Sequence, residues 1–190
     1  MITLLRPALM LLLLLTVITG VVYPLAVTGI GQLLFSHTAN GSVIERNNKA
    51  LGSELIGQAF TDPKYFWPRP SATSPFANNP SASGASNLGP NNSGLTDAVK
   101  QRIEALRAAD PDNKTPIPVD LVTASASGVD PDISPAAAQY QLARVARVRG
   151  ASPTDIAKLV DQATEGRQLG FMGEARVNVL KLNLLLDGRG

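Results

Sequence analysis

Arg6 and Glu45 bracket a stretch without one charged side chain, and its first 29 positions, Pro7 to Phe35, are almost wholly apolar. A helix rises about 1.5 Å per residue, so a bilayer core of roughly 30 Å takes about 20 apolar residues. Pro7–Phe35 exceeds that length and can span with some tilt. No later segment resembles a second span. The pattern predicts one membrane anchor over residues 1–36, followed by a water-soluble domain over residues 37–190. A secretory leader is the competing reading, with an apolar core of about 7–15 residues and a small-x-small cleavage site. This core is longer and Ala26-Val27-Thr28-Gly29 is a poor cleavage match, so the anchor is expected to be retained. Arg6 lies close to the span, whereas Arg46 and Lys49 follow more than ten residues after it. That bias keeps the short start cytoplasmic. The chain is therefore expected to cross the inner (cytoplasmic) membrane once and carry an extracytoplasmic domain.

Inside the span, Tyr23-Pro24 is conspicuous. Pro24 has no N–H for the carbonyl of Gly20, which predicts a kink unless a neighbour satisfies that oxygen. Thr16 and Gly20, four apart, form a small face on which another helix can approach closely. Thr16, Gly20, Tyr23 and Pro24 are the expected intramembrane partner contacts.

Composition removes several classes of function. Without cysteine there is no disulfide framework, thiolate nucleophile or thiolate metal site. His37 is the only histidine, so neither a histidine-ligated metal cluster nor a Ser-His-Asp triad has its partners, and no metal is expected. Ser125 and Ser127 have no base near them in sequence, which makes an anchored hydrolase a weak alternative and leaves no catalytic residue to nominate. Setting Arg6 aside, 16 basic and 15 acidic side chains leave a net charge of +1. Nucleic-acid affinity rests on many neutralised phosphates, so nucleic acid is not an expected partner.

The soluble part reads as a small α+β domain with one core. Ser42–Ala50 looks like a hairpin turning at Asn47-Asn48, residues that tolerate positive φ. Phe60–Phe76 holds five of the nine aromatics, around Tyr65-Phe66-Trp67-Pro68-Arg69-Pro70. Tyr65, Trp67 and Arg69 are candidate partner anchors, since such residues dominate binding hot spots. The same cluster also reads as an aromatic core under a loop. Ser71–Gly94 is an uncharged run of Ser, Ala, Thr, Pro, Phe, Asn, Gly and Leu, a loop by composition whose order composition does not decide. Val99, Ile103 and Leu106 repeat at helical spacing over about 96–108. Pro118–Ala124 is a strand candidate with Val119 and Leu121 on one face. Ser134-Pro135 and Ser152-Pro153 each pair an N-cap serine with a first-turn proline. The second of these helices is expected to bury Ile156, Leu159, Val160 and Ala163. Val177–Leu186 reads as helix or strand, with helix preferred.

Five motifs, in order along the chain, carry a resemblance. They are Leu55-Ile56-Gly57-Gln58, Tyr65-Phe66-Trp67-Pro68-Arg69-Pro70-Ser71-Ala72-Thr73, Ser86-Asn87-Leu88-Gly89-Pro90, the run Pro118 to Gly128 with Asp130 to Pro135 after it, and Arg176-Val177-Asn178-Val179-Leu180. With Tyr23-Pro24-Leu25 and Arg144-Val145-Ala146, the chain resembles the C subunit of the Kdp-type potassium-transporting ATPase over essentially its whole length. Ala85, where the family more often has a second glycine, is a small departure. The resemblance implies a non-catalytic subunit without a resident cofactor. Its implied partners are a channel-like potassium-binding subunit, a P-type ATPase subunit, a small single-span subunit and the lipid bilayer. It also implies an alternative role, raising the ATP affinity of the hydrolysing subunit through a transient ternary complex. For that role Gln162, Thr164 and Arg167 are the candidate ATP contacts. Nucleotide is cytoplasmic, however, and the charge bias sends the domain outward.

Overall fold

The computed structural model describes residues 2–188, which divide between Ala50 and Leu51 into two compact units. The first unit is dominated by one continuous apolar helix. α1 (Ile2–Val17) passes through a π-helical turn, Ile18–Val22, into α2 (Tyr23–Leu34). Leu4–Leu34, with a mean hydropathy of 2.4, is the only helix among the described residues long and apolar enough to cross a membrane. The π turn ends at Val22, two residues before Pro24, and the Tyr23 N–H donates to the Ile18 carbonyl. The missing donor at Pro24 is thus accommodated by widening the preceding turn, a known use of π-bulges. Thr19 Oγ1 donates to the Leu15 carbonyl at 2.7 Å, a further local adjustment. A short helix, α3 (Ser36–Ala39), follows.

β1 (Val43–Arg46) and β2 (Lys49–Ser53) form the expected hairpin. Asn47 and Asn48 take φ of 52° and 57°, the signs that a two-residue turn matched to strand twist requires.

In the second unit, α4 (Ser93–Ala109) is capped by Asn92, whose side chain accepts from the Gly94 N–H. β3 (Asp132–Ile133) leads into α5 (Pro135–Arg149), α6 (Pro153–Ala163) and β4 (Thr164–Glu165). β5 (Arg176–Asn178) and α7 (Val179–Leu186) close the fold. Ser134 and Ser152 cap α5 and α6 as their sequences predict, with proline next in each. Gly150 ends α5 in the left-handed region. The sheet is short, antiparallel and ordered β3-β5-β4, pairing Ile133 and Thr164 on either side of Val177. Its residues join α5, α6 and α7 around a core that includes Phe66, Ile133, Val145, Ile156, Val177 and Leu182.

Two segments depart from their sequence expectation. The strand candidate Pro118–Ala124 is a 3-10 turn, Val119–Leu121, which buries Leu121 and leaves Val119 70% exposed. Apolar residues two apart cannot share a face at three residues per turn. Val177–Leu186 is divided. Its start pairs in the sheet, and the rest is helix because the Asn178 side chain caps the Lys181 N–H.

Ser71–Gly94 has one turn of 3-10 helix, Pro80–Ala82, and is otherwise held by side-chain bonds. Ser71 Oγ donates to the Gly128 carbonyl at 2.6 Å and accepts from the Asn78 N–H at 3.0 Å. The Gly84 N–H donates to the Ser127 carbonyl at 2.9 Å. Gly128 faces this loop at φ +70°, and a Cβ there would lie 2.8 Å from the Gly84 carbonyl oxygen. Gly128→Ala therefore combines left-handed strain with a backbone clash, and is expected to lower stability by about 1–3 kcal/mol. Gly166→Ala, where nothing lies within 4 Å, is the near-neutral control. Thermal unfolding of the two variants checks the difference.

Candidate functional site

The conspicuous aromatic segment is irregular backbone, so its N–H and C=O groups need partners from outside. Side chains of α5 and α7 supply them. Gln141 Oε1 accepts from the Trp67 N–H at 2.8 Å, and its Nε2 donates to the Trp67 carbonyl at 3.1 Å. Asn183 does the same for Phe66, at 2.9 and 3.0 Å. Each amide thus imitates the edge of a neighbouring strand. Arg144, 2% exposed, donates to the carbonyls of Pro63 and Tyr65 and to Gln141 Oε1. Its guanidinium stacks 4.5 Å from the Trp67 ring centroid. Burial pushes its pKa down to about 10, a cost offset by these acceptors and by the ring face.

The candidate anchors are engaged within the chain. Tyr65 Oη donates to Asp187 Oδ2 at 2.8 Å, which raises the phenol's pKa. Arg149 pairs with the other oxygen of Asp187 and lies over the Tyr65 ring. Trp67 is half-buried against the core, and its Nε1 donates to the Asp62 carbonyl. Arg69 pairs with Asp130 at 2.9 Å. Trp67 and Arg69 still present part of their surface to a groove of about 420 Å³, whose lining includes Phe60, Arg102, Leu106 and Leu121. In the other unit, Thr16, Gly20 and Tyr23 are exposed, as the span is throughout almost its length, and nothing lies within 4 Å of a Cβ placed on Gly20.

The candidate nucleotide contacts lie elsewhere in the second unit. Gln162 is exposed near the end of α6. Thr164 Oγ1 donates to the Val160 carbonyl at 2.7 Å, and Arg167 pairs with Glu174 at 2.6 Å. Between Arg167 and Glu174 the chain doubles back at Gln168 and Met172 through Leu169 (φ +53°) and Gly170 (φ +80°). Leu169 is 82% exposed and Phe171 73%. This apolar tip was not picked out by sequence reasoning. The available signal was a Leu-Gly-Phe-Met run just past an amphipathic helix.

Residues 5–188 match the family model of KdpC, described as the c chain of K+-transporting ATPase. The chain is 64% identical over 185 residues to the potassium-transporting ATPase KdpC subunit of Dechloromonas aromatica, covering 97% of each. It is 63% identical over 182 residues to that of Methylococcus capsulatus, covering 96% of each. With that of Polaromonas naphthalenivorans the identity is 65% over 183 residues, covering 96% of this chain and 93% of the other.

Removing one amide clamp leaves a buried N–H and C=O without partners, at about 1–3 kcal/mol for each unsatisfied group. Asn183→Leu and Gln141→Leu, which keep size and lose hydrogen bonding, are expected to lower the denaturant midpoint of the chain clearly. Gln162→Ala, at an exposed helix end, is expected to leave it within about 0.5 kcal/mol. Chemical denaturation of the three variants checks the ranking.

Proposed function

Because the chain belongs to the KdpC family, the c chains of K+-transporting ATPases, we propose that it is a non-catalytic accessory subunit of an ATP-driven potassium uptake complex. In this reading it assembles or stabilises a channel-like potassium-binding subunit and a P-type ATPase subunit, with a small single-span subunit completing the set. The observation that carries the reading is Leu4–Leu34, an apolar helix with no buried residue, which calls for lipid and for neighbouring helices. Thr16 and Gly20 offer the small face for such a neighbour, and Tyr23-Pro24 sits beside the widened turn. The placement of Arg6 supports a domain on the extracytoplasmic side of the inner membrane.

Docking outside lipid is supported by the apolar tip. Leu169 holds a left-handed backbone that a leucine adopts at a cost, with its side chain in solvent. Presented on a tight turn, Leu169 and Phe171 suit insertion into a partner's apolar surface. For the alternative role in ATP affinity, Arg167 would have to leave Glu174 to reach a phosphate.

Three measurements test this reading. A reporter fused to the carboxyl terminus is expected to be active outside the cytoplasm only; cytoplasmic activity overturns the orientation. Gly20→Leu and Phe171→Asp, both at sites open in the free chain, are expected to reduce co-purification with the transport complex and its potassium-dependent ATPase activity by about tenfold. Unchanged co-purification of both variants would place the contacts elsewhere. The full chain in detergent is expected to show no saturable ATP binding in the micromolar range; binding weakened by Gln162→Ala or Arg167→Ala would favour the nucleotide role.

A further inference from the structure

The groove beside Trp67 holds an electrostatic imbalance. Its lining includes no carboxylate, yet Arg69 and Arg102 both contribute to it. Arg69 is answered by Asp130, although its Nε is buried without an acceptor. Arg102 is not answered by any acid among the described residues. Its Nη1 donates to the Val122 carbonyl at 2.8 Å, and burial lowers its pKa with no neighbouring charge to offset the cost. One of five donors is used, on a half-buried guanidinium whose fork geometry matches a carboxylate. α4 sets it there with Ala105 and Leu106, three and four residues on and so on one helical face. Phe60, Trp67, Leu106 and Leu121 make the rest of the wall apolar.

We propose that this groove receives an extended peptide segment of a partner subunit in which a carboxylate stands beside a bulky apolar side chain. The carboxylate pairs with Arg102, and the apolar group lies against Phe60, Trp67 and Leu121. The inference rests on the accessory-subunit reading and adds the chemistry of the contact. One unpaired guanidinium balances one negative charge, which fits a carboxylate better than a phosphate monoester at about −1.5 to −2. An open groove buries little of a free small molecule, whereas a segment already held by the assembly docks at high effective concentration. The clamp on Phe66 and Trp67 keeps the wall rigid, so little is lost in ordering it.

The test uses the full chain in the membrane-assembled complex, with the photo-cross-linker p-benzoylphenylalanine replacing Ala77 or Ala105, two exposed lining positions. Both are expected to label the same partner segment, one with Asp or Glu adjacent or next but one to an aromatic or large aliphatic residue. Arg102→Glu is expected to cut the yield from position 77 by at least about tenfold, and Arg102→Lys by less. Ala105→Glu guards against misfolding, because it leaves Arg102 in place and offers it an internal carboxylate three residues away; the same loss is expected. Adducts only with lipid or with this chain, no adduct at either position, or a yield indifferent to Arg102→Glu and Ala105→Glu would each overturn the proposal. Co-purification measured on the same samples separates the two failures. A wild-type chain absent from any complex sinks the accessory-subunit reading, whereas an assembled chain without the groove adduct sinks the groove alone.

Discussion

The buried guanidinium of Arg144 is the constraint around which the second unit is arranged. Its stacking on Trp67 and its bonds to the carbonyls of Pro63 and Tyr65 tie α5 to a segment with no regular structure of its own. A charge so deep, with no carboxylate bonded to it, is tolerable only where the acceptors are fixed. Gln141, one turn earlier on the same helix, supplies one acceptor and orders another part of the same segment. Removing Arg144 would strand those carbonyls; keeping it while moving the segment would strand the charge. Each half therefore specifies the other, a polar network in which partial satisfaction is worse than none.

The consequence reaches the groove. Fixing Phe66 and Trp67 by Asn183 and Gln141 places residues 68–71 without any ladder of their own, and Arg69 is then anchored through Asp130. Asp130 lies just past the Gly128 turn that receives the Ser71–Gly94 loop. Gly57 closes the same region from the other side: its N–H donates to the Val129 carbonyl, and a Cβ there would meet the Asp130 carbonyl oxygen at 2.6 Å. Motifs far apart in sequence thus converge on one irregular layer. Packing of loops, rather than helix or strand pairing, explains why those motifs are so particular in composition.

Locally coded features were legible from sequence. The span follows from length and charge, the serine-proline starts of α5 and α6 from capping chemistry, and the Asn47-Asn48 turn from tolerance of positive φ. Features set by distant partners were not. Nothing in Pro118–Ala124 announces that Leu121 and Val122, and not Val119, are drawn into the core, or that Asp120 accepts from the Ser134 N–H across fourteen residues. The boundary between β5 and α7 depends on Asn178, which caps the helix while its Nδ2 donates to the Glu54 carbonyl, a pairing no local pattern contains. At the candidate site, Trp67 and Arg69 were visible as residue types, but their intramolecular bonds to Asp62 and Asp130 were not. Arg102 was hidden because a basic residue on a helix is ordinarily a solvated one.

What the second unit leaves unsatisfied then gains meaning by contrast. Arg149 meets Asp187, Arg147 meets Asp110, Arg176 meets Asp132 and Glu165, and Lys181 meets Glu54. The exposed pairs among these add little stability, but all of them, including those with a buried partner such as Asp110, remove charges from competition for outside partners. Against that background, an unanswered Arg102 in an apolar wall and solvent-facing Leu169 and Phe171 on a tight turn are departures that folding alone does not require. One departure is electrostatic and the other apolar, so each makes a different demand on whatever meets it. On the proposed reading, the groove would select by charge and reject a neutral segment through the cost of leaving Arg102 unpaired. The tip would select by shape and contribute apolar area. On the proposed reading, the groove would supply specificity in assembly and the tip much of the affinity, with the membrane helix raising the effective concentration of both by confining the chain to one surface.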